Sequence, residues 1–158
     1  SAKQYQQAQA ALEGLGIGHL AQQDFLTLSG GQQQLVFFAR TLARPAHLLI
    51  LDEADSAVDF QNHHKMMAQL RHHVQKHQSI ALFCTHQPDI ALQYADHLLI
   101  MQKGKILHQL EISQCSDRMI ESALQDIYSH IRLAKQWGQY LVGWRDTDES
   151  EDEHFLLE

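Results

Sequence analysis

The sequence predicts an α/β fold, a parallel sheet covered by helices. Three observations carry this expectation. Two apolar runs of strand length, 47–51 and 79–84, lack the alternation of a half-exposed strand and read as strands covered on both faces. A segment of helical periodicity, 60–76, lies between them. Each run ends in a polar pair, Asp52-Glu53 and Thr85-His86, at the carboxyl edge where open parallel sheets gather their chemistry.

The other elements follow in chain order. Residues 4–13 read as a helix stopped by Gly14-Leu15-Gly16-Ile17-Gly18. After a Ser29-Gly30-Gly31 turn, Leu35, Phe38, Ala39 and Leu42 recur at i, i+3, i+4 and i+7, the stripe of a packed helix beginning near Gln32 and ended by Pro45. In the 60–76 helix, Met67, Leu70 and Val74 share one face. Residues 88–94 form a short helix with proline in its first turn. The runs 97–102 and 105–109 flank Lys103-Gly104, a hairpin signal. Ile120, Leu124, Ile127 and Tyr128 mark a final amphipathic helix.

Composition narrows the class. With 44% hydrophobic and 20% charged residues the chain is expected to fold, and no apolar run approaches the roughly 20 residues that cross a bilayer. The net charge of −7 is carried by Asp146, Asp148, Glu149, Glu151, Asp152, Glu153 and Glu158; the 12 remaining acidic residues balance the 12 Lys and Arg. A near-neutral body without a basic stripe argues against nucleic acid as a partner, and the acidic end reads as a solvated, mobile tail. Cys84 and Cys115 make no disulfide framework and fit a reducing compartment. The start, Ser1-Ala2-Lys3-Gln4-Tyr5, has no Met or apolar leader and reads as the interior of a helix, which implies upstream sequence.

The candidate chemistry lies at three places. An Asp directly after a buried strand, Asp52, is suited to hold Mg²⁺ through water, since that ion wants oxygen ligands and keeps its hydration. Glu53 beside it can act as general base for attack on a phosphate; the plain alternative is a pair of solvated acids in a turn. Ser29-Gly30-Gly31 opens a helix whose first N–H groups and positive dipole end suit an anion, and glycine permits close approach. Its alternative is an ordinary serine N-cap. His86 can contact a phosphate oxygen and hold a water, against the alternative of a satisfied histidine at a strand end.

Together these strings resemble the ABC-transporter ATPase. Leu28-Ser29-Gly30-Gly31-Gln32 resembles the signature motif, Leu48 through Glu53 resembles Walker B with its glutamate, Ser56-Ala57-Val58-Asp59 resembles the D-loop, and Thr85-His86 resembles the switch histidine. The resemblance covers residues 5–128 and implies a partial P-loop-NTPase-like sheet with part of a helical subdomain. On that reading residues 1–44 belong to the helical signature subdomain, 45–130 to the ATPase core, and 131–158 to a C-terminal extension. It implies ATP and Mg²⁺ as cofactors, with Asp52 supporting Mg²⁺, Glu53 polarising the attacking water and His86 sensing the γ-phosphate. Ser29, Gly30, Gly31 and Gln32 would close on nucleotide held by a second ATPase subunit in a head-to-tail dimer, and Asp59 would communicate between the two sites. Transmembrane permease subunits and a peripheral place on the cytoplasmic membrane face follow from the same resemblance.

Departures from the family pattern are Ala54-Asp55 in place of Pro-Thr, and Val58 in place of the D-loop Leu. No Gly-x-x-x-x-Gly-Lys-Ser/Thr string occurs in the 158 residues, nor an adenine-stacking aromatic or Q-loop. The chain therefore reads as a fragment of a longer ATPase that binds ATP poorly by itself. Absent sheet neighbours would leave apolar strand faces bare.

Asp59-Phe60-Gln61-Asn62, Thr85-His86-Gln87-Pro88, the segment 91–96 and Asp126-Ile127-Tyr128 resemble importers of iron chelates, haem, cobalamin or molybdate. The alternative function is a non-catalytic signature module that pairs with a complete ABC ATPase. A chromosome-associated ATPase would call for long heptad arms that are missing here. His63, His64, His72, His73 and His77 crowd one helix; His73 and His77, at i and i+4, could share a metal ion, but no Cys or carboxylate joins them at ligand spacing. A solvated polar face is the expectation for these histidines.

Overall fold

The computed structural model describes residues 1–52 and 58–145. The chain divides into two compact units, Ser1–Thr85 and His86–Glu158.

In the first unit, α1 (Ala2–Gly14) packs on α2 (Gly30–Leu42). Two short 3₁₀ turns, Gly18–Leu20 and Phe25–Thr27, link them. Helix α2 begins at Gly30, two residues before the expected start near Gln32, because Ser29 caps it. Leu35, Phe38 and Ala39 are buried as the periodicity requires. Strand β1 (Leu48–Asp52) pairs in parallel with β2 (Ile80–Cys84), and α3 (Phe60–His77) makes the crossover. The register runs from Leu48 opposite Ile80 to Asp52 opposite Cys84. Phe38, Leu51, Met66, Met67 and Phe83 converge on one small apolar cavity, so α2, α3 and both strands share a core.

Two expectations fail here, for physical reasons. The strands are covered on one face only: Leu49 and Leu51 are buried, whereas Leu48, Ile50, Ile80 and Leu82 are 46–68% exposed. Uninterrupted apolarity records the need for two covering layers, and the described residues supply one. The bare face itself is what absent sheet neighbours would leave. Nor is the histidine face of α3 wholly solvated. Its buried stripe is His63, Met66, Met67, Leu70 and His73, with Val74 half-buried, so two imidazoles occupy core positions. Burial first, then the neighbouring His77, Lys76 and His72, holds the His73 imidazole below its usual range.

In the second unit, α4 (Pro88–Tyr94) leads into the antiparallel hairpin β3 (His97–Gln102) and β4 (Lys105–Glu111), turned at Lys103-Gly104 as expected. Helix α5 (Asp117–Gln125) is capped by Ser116, whose side chain accepts from the Met119 N–H. It ends before Ile127 and Tyr128, which pack against the core from the following turn. A second hairpin, β5 (Ile131–Gln136) and β6 (Gln139–Trp144), was not foreseen. Its Ile131 is fully buried with Leu92, Ile100, Ile120, Ala123 and Leu124. The acidic residues 146–158 lie outside the described residues. Among the described residues no helix is long and apolar enough to cross a membrane.

Candidate functional site

The start of α2 is built by three consecutive local devices. Asp24 Oδ1 accepts from the Leu26 N–H at 3.0 Å, and the Thr27 hydroxyl donates to the Asp24 carbonyl at 2.7 Å, folding the approach. Leu28 is buried and anchors the turn. Ser29 then takes an extended conformation, and its Oγ accepts from the Gln32 N–H at 3.3 Å, while Gln32 Oε1 accepts from the Ser29 N–H at 3.0 Å. This reciprocal capping box satisfies two terminal donors. Gln33 Nε2 donates to the carbonyls of Phe25 and Leu28, both at 3.2 Å, locking loop to helix. The N–H groups of Gly30 and Gly31 have no helical acceptor. Gly30 is exposed, and a Cβ placed on it would meet nothing within 4 Å. The turn is a serine cap, and it leaves the Gly30 side of the helix start open.

The other candidates sit at strand and helix ends. Asp52 closes β1, is exposed, and lies opposite Cys84 at the carboxyl edge of the parallel pair. Its carboxylate accepts no hydrogen bond from the described residues. The expected partner Glu53, with Ser56 and Ala57 of the third motif, lies outside the described residues. Asp59 caps α3: Oδ1 accepts from the Asn62 backbone N–H at 3.0 Å and Oδ2 from its side-chain amide at 2.7 Å. The backbone bond first, then the amide, holds this exposed carboxyl below the usual carboxylate range. Neither Ser29 nor Gln32 bonds to Asp52 or Asp59; their side-chain bonds stay within the cap.

His86 is exposed and opens the second unit. Its carbonyl accepts from the Tyr128 hydroxyl at 3.5 Å, and Trp144 meets Tyr128 edge-on, ring centres 5.8 Å apart. Sequence reasoning assigned no supporting role to Tyr128 or Trp144. The available signal was a tyrosine just past an amphipathic helix, whose hydroxyl needs a partner when its ring packs.

A profile described as ABC transporter matches residues 2–56. Over 136 residues the chain is 32% identical to the molybdate import ATP-binding protein MolC of Haemophilus influenzae, covering 86% of this chain and 52% of that one. The chain belongs to the ABC-transporter ATPase family. The hemin import ATP-binding protein HmuV of Hydrogenovibrio crunogenus is 33% identical to this ABC ATPase chain, over 78% of it and 50% of the relative. The chain thus spans about half the length of these curated relatives. Among solved structures, an inward-facing one described as a metal-chelate type ABC transporter superposes with a TM-score of 0.66 at 29% identity, covering 87% of this chain and 55% of that one. The ADP conformation of an ATP-binding cassette gives 0.62 at 28% identity, over 78% and 46%. The α/β ABC ATPase fold, represented here in part, accounts for the parallel pair, its crossover helix and the capped turn at Ser29.

Proposed function

We propose that this chain contributes the signature and water-orienting residues of an ATP-hydrolysing subunit in an ABC importer. The observation that supports the reading is the register of Asp52 opposite Cys84, which ends both strands of the parallel pair at one carboxyl edge. Glu53 takes a proton from the attacking water, and His86 orients that water and contacts the terminal phosphate oxygens. Asp52 is the residue that would hold Mg²⁺, and that ion, when bound, neutralises charge on the phosphates. Ser29, Gly30, Gly31 and Gln32 present N–H and side-chain donors to nucleotide held by a second ATPase subunit. Asp59 communicates between the two sites by fixing the start of α3. Permease subunits complete the assembly, with this chain peripheral on the cytoplasmic face. Within it, residues 1–44 are the helical signature subdomain, 45–130 the core and 131–158 an extension.

For cargo we favour an iron chelate or a related metal complex. The hemin and molybdate relatives and the metal-chelate type neighbour support this, although a sulfonate import relative is 39% identical over 68% of the chain. The 158 residues by themselves are read as non-hydrolytic, because the Lys and backbone cradle of a P-loop are not in the sequence. The same observation favours, as second reading, a signature module that completes another ATPase.

The test joins this chain to a P-loop-bearing N-terminal segment of an ABC ATPase and measures ATP turnover. Hydrolysis is expected, falling by about 10²–10⁴ in Glu53→Gln with ATP-driven dimerisation preserved. Turnover unchanged by Glu53→Gln would defeat the assignment. Stimulation of a complete ABC ATPase by the unfused chain, abolished by Ser29→Arg, would select the second reading.

A further inference from the structure

We propose that His73 and His77, at the C-terminal end of α3, form a binding site for a borderline divalent transition-metal ion such as zinc or nickel. The two residues are four apart in an 18-residue helix, so they lie one turn above each other on the same face. Their ring centres are 4.4 Å apart with planes tilted by 46°. With metal–nitrogen bonds of about 2.0–2.1 Å, two imidazoles bound side by side on one ion bring their ring centres to roughly 4.5–5 Å. The pair therefore stands near chelating separation without any change in the helix. The other neighbouring pair, His63 and His64, is adjacent in sequence, and its ring centres are 6.4 Å apart. Consecutive helix positions do not face each other.

A second, independent observation points to a ligand. His73 is only 6% exposed, and its Nε2 is buried without a hydrogen-bond partner. Buried imidazole nitrogens are ordinarily satisfied by protein or water, and an unmet one is destabilising until something binds it. His77 is half-buried, which leaves the pair a side open to solvent. The helix ends immediately afterwards, at Gln78 in the left-handed conformation. The pair thus occupies the last turn, whose free carbonyls favour a cation.

Among the described residues no third His, Cys, Asp or Glu joins to make a cluster of three. The site is accordingly a two-histidine chelate completed by water, an exchangeable ion site rather than a closed structural one. Imidazole donors select zinc, nickel or copper over magnesium or calcium.

The test titrates the whole chain with zinc chloride and nickel chloride by calorimetry in a non-chelating buffer, and follows the thermal midpoint alongside. One saturable site is expected, with a rise in midpoint that a chelator reverses. His77→Ala should weaken it by at least about tenfold, while His72→Ala, at an exposed neighbour, should leave it unchanged. His73→Gln should also weaken it. If that variant folds poorly, His77→Ala carries the decision, because His77 is not a core residue. No heat from the native chain, or equal binding by His77→Ala, overturns the proposal.

Discussion

Glu121 on α5 ties that helix to the second hairpin, and Glu121→Ala tests how the unit is held. Its Oε2 accepts from the Leu133 N–H of β5 at 2.7 Å, its Oε1 lies 3.7 Å from the Arg132 guanidinium, and the side chain is 25% exposed. Leu133 is half-buried and pairs with Val142, so the variant strands a backbone donor near the core. A hydrogen bond to a charged group contributes about 1.5–3 kcal/mol. The Arg132 pair, at a partly exposed site and long range, adds about 0–1 kcal/mol. The Gln125 amide, 3.4 Å from Glu121, keeps its bond to the Ile131 carbonyl and adds little. Glu121→Ala should therefore cost about 2–3 kcal/mol, and Glu121→Gln, which keeps an acceptor, about 1 kcal/mol or less. The chain's two tryptophans, Trp137 and Trp144, both lie in this unit, so their emission reports its urea unfolding alone. With a urea slope of about 1–3 kcal/mol/M, the Ala variant should move the midpoint down by roughly 1 M. Equal midpoints for the Ala and Gln variants would refute the assignment of that energy to the Leu133 bond.

Three further outcomes are expected. Ser29→Ala removes the cap acceptor and should destabilise α2 by about 1 kcal/mol, read by thermal circular dichroism, with Ser29→Asp restoring it. Burial, reinforced by the hydroxyl's 2.9 Å bond to Asp117, pushes Tyr140 up to about 12 from 10.0. Because the folded state holds that proton longer than the unfolded one, this contribution to stability is complete below pH 10.0 and lost between there and about 12. An ultraviolet titration should show a late tyrosinate that disappears in Tyr140→Phe, while Tyr94, which burial also pushes up, remains. Ile50→Thr with Ile80→Thr, on the bare face of the parallel pair, should reduce aggregation and dye binding while changing stability by only about 0.5 kcal/mol each. A loss several times larger would mean the face is packed.

Local signals were read well and tertiary ones poorly. Lys103-Gly104 announced its hairpin because the pair adopts positive φ, 48° and 75°, as a tight turn demands. Trp137-Gly138 adopts nearly the same conformation, 49° and 79°, yet β5 and β6 went unread. Tryptophan does not advertise a turn, and Arg132, Lys135 and Gln136 blur the apolar alternation. The histidines of α3 misled for a related reason. Residue type made them a polar face, but position on the helix puts His63 and His73 in the stripe with Met66, Met67 and Leu70. Near the candidate site, Ser29 at a helix start and Asp52 at a strand end follow from order and spacing. The support of His86 through Tyr128, 42 residues away in sequence, depends on packing that no local pattern encodes.

The capping box at Ser29 also sets the polarity of what the turn can offer. A hydroxyl that has already accepted an N–H keeps its one proton for a neighbour outside the helix. A carboxamide whose oxygen is engaged by the Ser29 N–H likewise shows the outside its NH₂. With the Gly30 and Gly31 amides beside them, the groups left over at this turn are richer in donors than in acceptors. On the proposed reading, that excess of donors would favour a deprotonated oxyanion over an ammonium. The preference is carried by bonds that the helix needs in any case, so losing it and losing the start of α2 would be one event.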